Sequence, residues 1–159
     1  MEGQNPTRRY KWFRPRQAAR GYGAAVGGAN VQSVSLYNNA KSTHVLVVRA
    51  ISTASSAVLM QTEVRRGVLG TKAMDGVPIV ALAETLPGQV FTGAGESQLV
   101  ADYLIANNGD QAWNHNFPFQ ILQPDTSLHL QPGPSGSGDI EVAFFWEAIG
   151  IDELDFIDW

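Results

Sequence analysis

Ile140-Glu141-Val142-Ala143-Phe144-Phe145-Trp146-Glu147 sets large apolar side chains at every second position, and this two-residue period decides the fold class. Successive side chains of a strand point to opposite faces, so Ile140, Val142, Phe144 and Trp146 share one face. The stretch predicts a final strand over 139–149 with that face in a core. Truncating Phe144 or Trp146 to Ala should then cost ~3–5 kcal/mol.

The same alternation recurs upstream. Leu128 and Leu130 flank His129, Phe117, Phe119 and Ile121 alternate, and Thr43 to Ile51 is a β-branched run long enough to cross a sheet. Ala57 to Val64 predicts a strand with Val58, Met60, Thr62 and Val64 on one face, and Val34 with Leu36 predicts another. Turns are expected at Asn38-Asn39, Asp75-Gly76 (leading into a strand over 77–82), Leu86-Pro87-Gly88 and Pro124-Asp125, with a Pro/Gly-rich loop over 131–138. Residues 97–106 suit either helical i, i+4 pairs or strand alternation, and their neighbours favour strand. About eight strands at roughly ten-residue spacing predict an all-β sandwich or barrel. No internal repeat points to a propeller or solenoid.

Charge divides the chain into three. Six of the eleven basic residues lie in the first twenty positions, and with Glu2 they give residues 1–30 a charge of +5. The last thirteen residues hold five acids and no base. Residues 1–30, broken by Pro6 and Pro15 and loosened by Gly21, Gly23, Gly27 and Gly28, are expected to form an extended basic arm. Residues 31–149 form the β-sandwich domain in this reading, and 150–159 an acidic, aromatic tail. Tyr10 and Trp12 among Arg8, Arg9, Arg14 and Arg16 suggest an arm that orders against a partner, and Leu154, Phe156 and Trp159 do the same for the tail. The alternative for either terminus is that it packs on its own domain.

Charged residues are 16% of the chain, against ~25% in ordinary soluble domains, so its surface can meet protein with few ions to desolvate. With no cysteine, neither disulfides nor thiolate metal sites are available. No signal-peptide pattern or membrane span is legible, which predicts a soluble protein made in a cytosol.

Catalytic motifs fail one by one. Gly133-Pro134-Ser135-Gly136-Ser137 puts serine where a nucleophile elbow needs its second glycine, and Gly93-Ala94-Gly95 lacks the last glycine of a dinucleotide fingerprint. Gly67 to Lys72 has neither the length nor the order of a phosphate loop, so these are turn glycines. His44, His115 and His129 have no metal-ligand spacing, and His44 and His129 are expected on solvent-facing sheet positions. The basic arm with its aromatics is a weak single-strand-binding signal, opposed by a net charge of −4. Trp113, Asn114 and His115 set an aromatic platform beside hydrogen-bonding groups, a candidate glycan contact in an expected loop, or else a subunit contact. The expectation is a protein that is not an enzyme and carries no cofactor or metal.

Leu36-Tyr37-Asn38-Asn39 followed by Val45 to Ile51, then Leu128-His129-Leu130-Gln131-Pro132-Gly133, then Ile140 to Glu147, resembles small jelly-roll structural proteins of tailed bacteriophages. These include head decoration (cement) proteins and tail-associated domains, and the resemblance covers about residues 31–147. It implies a jelly-roll sandwich, a homotrimer, contact with a major capsid or other virion protein, and a place on the virion after synthesis in the host cytoplasm. The family brings no catalytic residues. A tail- or neck-associated protein that binds host glycan is the alternative. The arm and the tail are not part of the resemblance.

Overall fold

The computed structural model describes residues 17–25, 32–55, 60–79, 86–94, 103–104, 109–114, 120–132 and 139–152. They form eleven strands: β1 (Gln17–Ala25), β2 (Gln32–Asn38), β3 (His44–Ser55), β4 (Met60–Arg66), β5 (Thr71–Pro78), β6 (Leu86–Ala94), β7 (Tyr103–Leu104), β8 (Gly109–Asn114), β9 (Gln120–Leu122), β10 (Thr126–Pro132) and β11 (Ile140–Gly150). Every pairing is antiparallel. The all-β expectation holds.

The strand order is β7-β4-β10-β2-β6-β5-β1-β11-β3-β8, with β9 also on β3. One half, β1-β11-β3 with β8 and β9, and the other, β7-β4-β10-β2, are the two interleaved sheets of a jelly roll. Strands β5 and β6 are an added pair. β6 pairs with β2 and β5 pairs with β1, so they lace the two sheets along one side into a nearly closed wall.

The main core cluster lies between the sheets, and Val45, Val47 and Ile149 form a second, small one. Val34 and Leu36 of β2, Leu128 and Leu130 of β10, Leu46, Val48 and Ile51 of β3, and Ile140, Val142, Phe144 and Trp146 of β11 are all essentially inaccessible. Strand β11 keeps strict alternation, but β3 does not. Its register against β11 slips between Phe145 and Trp146, where Ala50 pairs with Phe145 and Val48 with Trp146, leaving Arg49 as the extra residue of a bulge. The bulge lets both Leu46/Val48 and Ile51/Thr53 face inward. On the outer side Arg49 then reaches Glu147 at 2.8 Å.

Trp146 explains the glycines. A Cβ at Gly21, Gly76 or Gly88 would fall within 3.0 Å of its indole, so three glycines on β1, β5 and β6 form its recess. Its Nε1 donates to the Pro87 carbonyl at 2.8 Å.

Four expectations are corrected. The segment 17–25, assigned to the arm, is β1, because its small alternate residues Ala19, Gly21 and Gly23 let the strand lie flush on bulky core side chains. Asp75-Gly76 and Leu86-Pro87-Gly88 are not turns but parts of β5 and β6. Their turn-type residues serve a register slip at Asp75/Gly76 and the contact with Trp146. Trp113 and Asn114 lie on β8 opposite Ile51 and Ala50, not in a loop. His129 is 1% exposed rather than solvent-facing, and Ser33, Ser35 and Ser127 on the same outer face are equally shielded.

Part of that shielding comes from the link between β4 and β5. It must pass β10, β2 and β6 in the four residues Gly67 to Gly70. At one end Gly67 N donates to the Asp125 carbonyl at 2.7 Å, and at the other a Cβ on Gly70 would strike the Thr92 carbonyl.

Candidate functional site

One pole of the sandwich gathers most of the chemistry. Gln17, where β1 begins, pairs with Ala148, and β11 ends two residues later at Gly150, which pairs with His44. Two strand residues span ~7 Å. The segments before Gln17 and after Asp152 therefore depart from neighbouring strands at the same end. The Ile151 N–H, donating to the Thr43 carbonyl at 3.0 Å, fixes the departure of the second. Arg8, Arg9, Lys11, Arg14 and Arg16 precede the first point, and Glu153, Asp155 and Asp158 follow the other. The arm residues Arg8, Arg9, Tyr10, Trp12, Arg14 and Arg16 and the tail residues Leu154, Phe156 and Trp159 lie outside the described residues, as does His115.

The β9–β10 turn at this pole is held by Asp125, whose φ of 64° is the one left-handed value at a described residue other than glycine. Its Oδ2 accepts from Arg66 Nε at 2.9 Å and its Oδ1 from the Tyr37 hydroxyl at 3.1 Å. The Arg66 hydrogen bond, then that of Tyr37, holds the Asp125 carboxyl below its ordinary value. Burial and the same carboxylate push the Tyr37 phenol up. Tyr37 also stacks edge-on against Phe91.

Beneath the β4–β5 link, Ser127 Oγ lies 2.7 Å from His129 Nε2 and donates to the Gly67 carbonyl at 2.6 Å. A hydroxyl has one proton, and a carbonyl only accepts. The imidazole must therefore carry its proton on Nε2 and donate to Ser127. This is the reverse of the arrangement in which histidine takes a serine proton, so the pair pins the link. Among the described residues no group of three His, Asp or Glu is placed to hold a metal ion, and no helix is long and apolar enough to cross a membrane.

An open cleft of about 360 Å³ also lies at this pole, lined by the Asn39–His44 turn and by Asp75, Leu86, Pro87, Gly88 and Gln89. Its walls are braced. Lys41 N donates to Asn39 Oδ1 at 2.9 Å, Ser42 N to the Asn39 carbonyl at 2.9 Å, and Thr43 Oγ1 lies 3.1 Å from His44 Nδ1. Buried Asn38 donates to the His44 carbonyl at 2.8 Å. Opposite, Asp75 accepts from Gln89 Nε2 at 2.9 Å and from Lys72 Nζ at 3.1 Å. The floor, Pro87-Gly88, rests on Trp146.

None of this was legible as a motif. Lys41 and His44 stand far in sequence from Asp75 and Gln89, and the Asp75-Gly76 pair has the composition of a plain turn. Trp113, on β8 opposite Ile51, is seven strand residues from His44, or ~23 Å along β3. Comparison with protein-family models, with curated proteins and with solved structures finds no match to the chain.

Proposed function

We propose that the protein is a non-enzymatic structural subunit of a virion, of the capsid-decoration kind, whose jelly roll self-associates as a trimer. Its basic arm straps onto a neighbouring shell protein. The observation that carries this reading is the joint departure of two oppositely charged, aromatic-bearing terminal segments from adjacent strands, Gln17 beside Ala148. Two such segments rooted at one pole reach partners on one side of the domain and leave the rest of the sandwich to contact its own kind. A strap that binds only the assembled state stabilises that state by linkage.

The test is removal of residues 1–16, which stops short of β1. The truncated protein should keep its fold and its oligomer mass by light scattering, yet fail to join particles when expressed with the shell proteins. Undiminished incorporation would refute the strap, and a monomeric full-length protein would refute the trimer.

A further inference from the structure

We propose that the cleft between the Asn39–His44 turn and the Asp75/Gln89 wall binds a neutral polyhydroxylated ligand, a saccharide unit. Its volume of about 360 Å³ lies within the ~300–1,000 Å³ range of small-molecule sites. The lining supplies both halves of what a polyol requires. Asp75 accepts, Lys41 donates, and Asn39, Gln89, Ser42, Thr43 and His44 do either.

Charge narrows the choice. Among the described residues the lining carries one cation, Lys41, and one anion, Asp75, and Lys72 already answers the second. A phosphate or carboxylate would meet Asp75 across the cleft. A divalent cation would find a single carboxylate, whose Oδ1 already accepts from Lys72 and Gln89. Hydroxyl groups suffer neither penalty. Asp75 Oδ2 has only a 3.3 Å contact from Lys72, which leaves it acceptor capacity for a ligand hydroxyl.

The groups are also held in place before any ligand arrives. Gln89 and Lys72 orient the Asp75 carboxylate, Thr43 sits on the His44 ring, and Asn38 anchors the His44 backbone. Preorganised polar groups lose little entropy on binding. Pro87 adds a small apolar surface against which the C–H face of a sugar ring can lie.

The experiment is amide-shift NMR on the full chain with four probes: the methyl glycosides of glucose, galactose and mannose, and N-acetylglucosamine. At least one should shift the Lys41, His44 and Gln89 amides saturably with a Kd of ~1–10 mM, a single-subsite affinity. Asp75→Asn and Lys41→Gln should each weaken it tenfold or more with an unchanged circular dichroism spectrum, while Trp113→Ala should leave it unaltered. Silence of those amides toward all four probes overturns the proposal. So does saturable binding of inorganic phosphate or calcium chloride at the same amides, or shifts that survive Asp75→Asn. The inference does not rest on the assembly reading, which particle incorporation tests separately.

Discussion

Trp146, on the last strand, donates its indole N–H to the backbone carbonyl of Pro87 at 2.8 Å, joining β11 to the strand that floors the polar cleft. Replacing Trp146 by Phe removes this partly buried bond and leaves the glycine recess underfilled. Urea unfolding should show a loss of ~1–3 kcal/mol. The Lys41, His44 and Gln89 amides should also shift, because the floor of the cleft loses its support.

Two glycines make a sharper contrast. Gly88 and Gly67 both have left-handed φ angles, +112° and +73°, but a Cβ on Gly88 would lie 2.7 Å from Trp146 while one on Gly67 meets nothing within 4 Å. Gly67→Ala should cost only the left-handed penalty, ~1–2 kcal/mol. Gly88→Ala should cost clearly more, because the indole must move as well. Equal losses for the two variants would show that the recess is not tightly filled.

Acid should weaken the pole where Asp125 sits. Its folded-state carboxyl is depressed by Arg66 and Tyr37, so its contribution is present above the unfolded-state value near 3.8 and is lost as pH falls through the lower folded value. Arg66→Gln should therefore raise the Asp125 titration midpoint and remove part of the pH dependence of stability below pH ~4. Carboxyl carbon NMR of Asp125 reads the first and urea melts across that range read the second. Tyr37 has the opposite sense. Its raised phenol contributes stability below pH ~10 that is lost as pH rises through the folded value.

The sandwich was legible where apolar size alternates with polarity. Ile140 to Trp146, Leu128/Leu130 and Val34/Leu36 all face the core as the period demands. Strand β1 was not legible, because Gly21 and Gly23 look like chain breakers when their partner, the Trp146/Val90 surface, is unknown. Glycine is read as flexibility when it stands alone and as clearance when a large ring lies against it. Strands β5 and β6 were obscured by the same ambiguity at Gly76 and Gly88. His129 misled for a different reason. Strand alternation predicts which face a residue takes but not whether that face is covered. The cleft had no local signature at all, since its two walls are brought together by tertiary packing, above all the pairing of β2 with β6.

The β3 bulge predicts a phase effect. Deleting Arg49 leaves Leu46 and Val48 in step with Ile51 and Thr53, so the shortened protein should fold, losing the Glu147 ion pair and ~1–3 kcal/mol. Inserting one alanine after Arg49 keeps the same phase but gives β3 two surplus residues against β11, so a wider bulge or a two-residue register shift must absorb them, and its melting midpoint should fall below that of the deletion variant. Circular dichroism melts of the two variants decide this.

Terminal truncation should show where the folded wall begins. Removal of 1–16 should leave the thermal midpoint near that of the full chain. Removal of 1–20 also deletes buried Ala19 and the pairings of Gln17 to Arg20 with β11, and should lower the midpoint by ~5 °C or more.

Strand β11 lies between β1 and β3, near the middle of its sheet rather than at an edge. While the chain is still emerging from the ribosome, the slot it will fill stands empty, with the partners of Trp146 exposed. Folding of the sandwich can therefore be completed only after Gly150 has emerged, and contacts so distant along the chain slow that step. A nascent chain truncated before Ile140 should be held by chaperones rather than released as a partial sandwich.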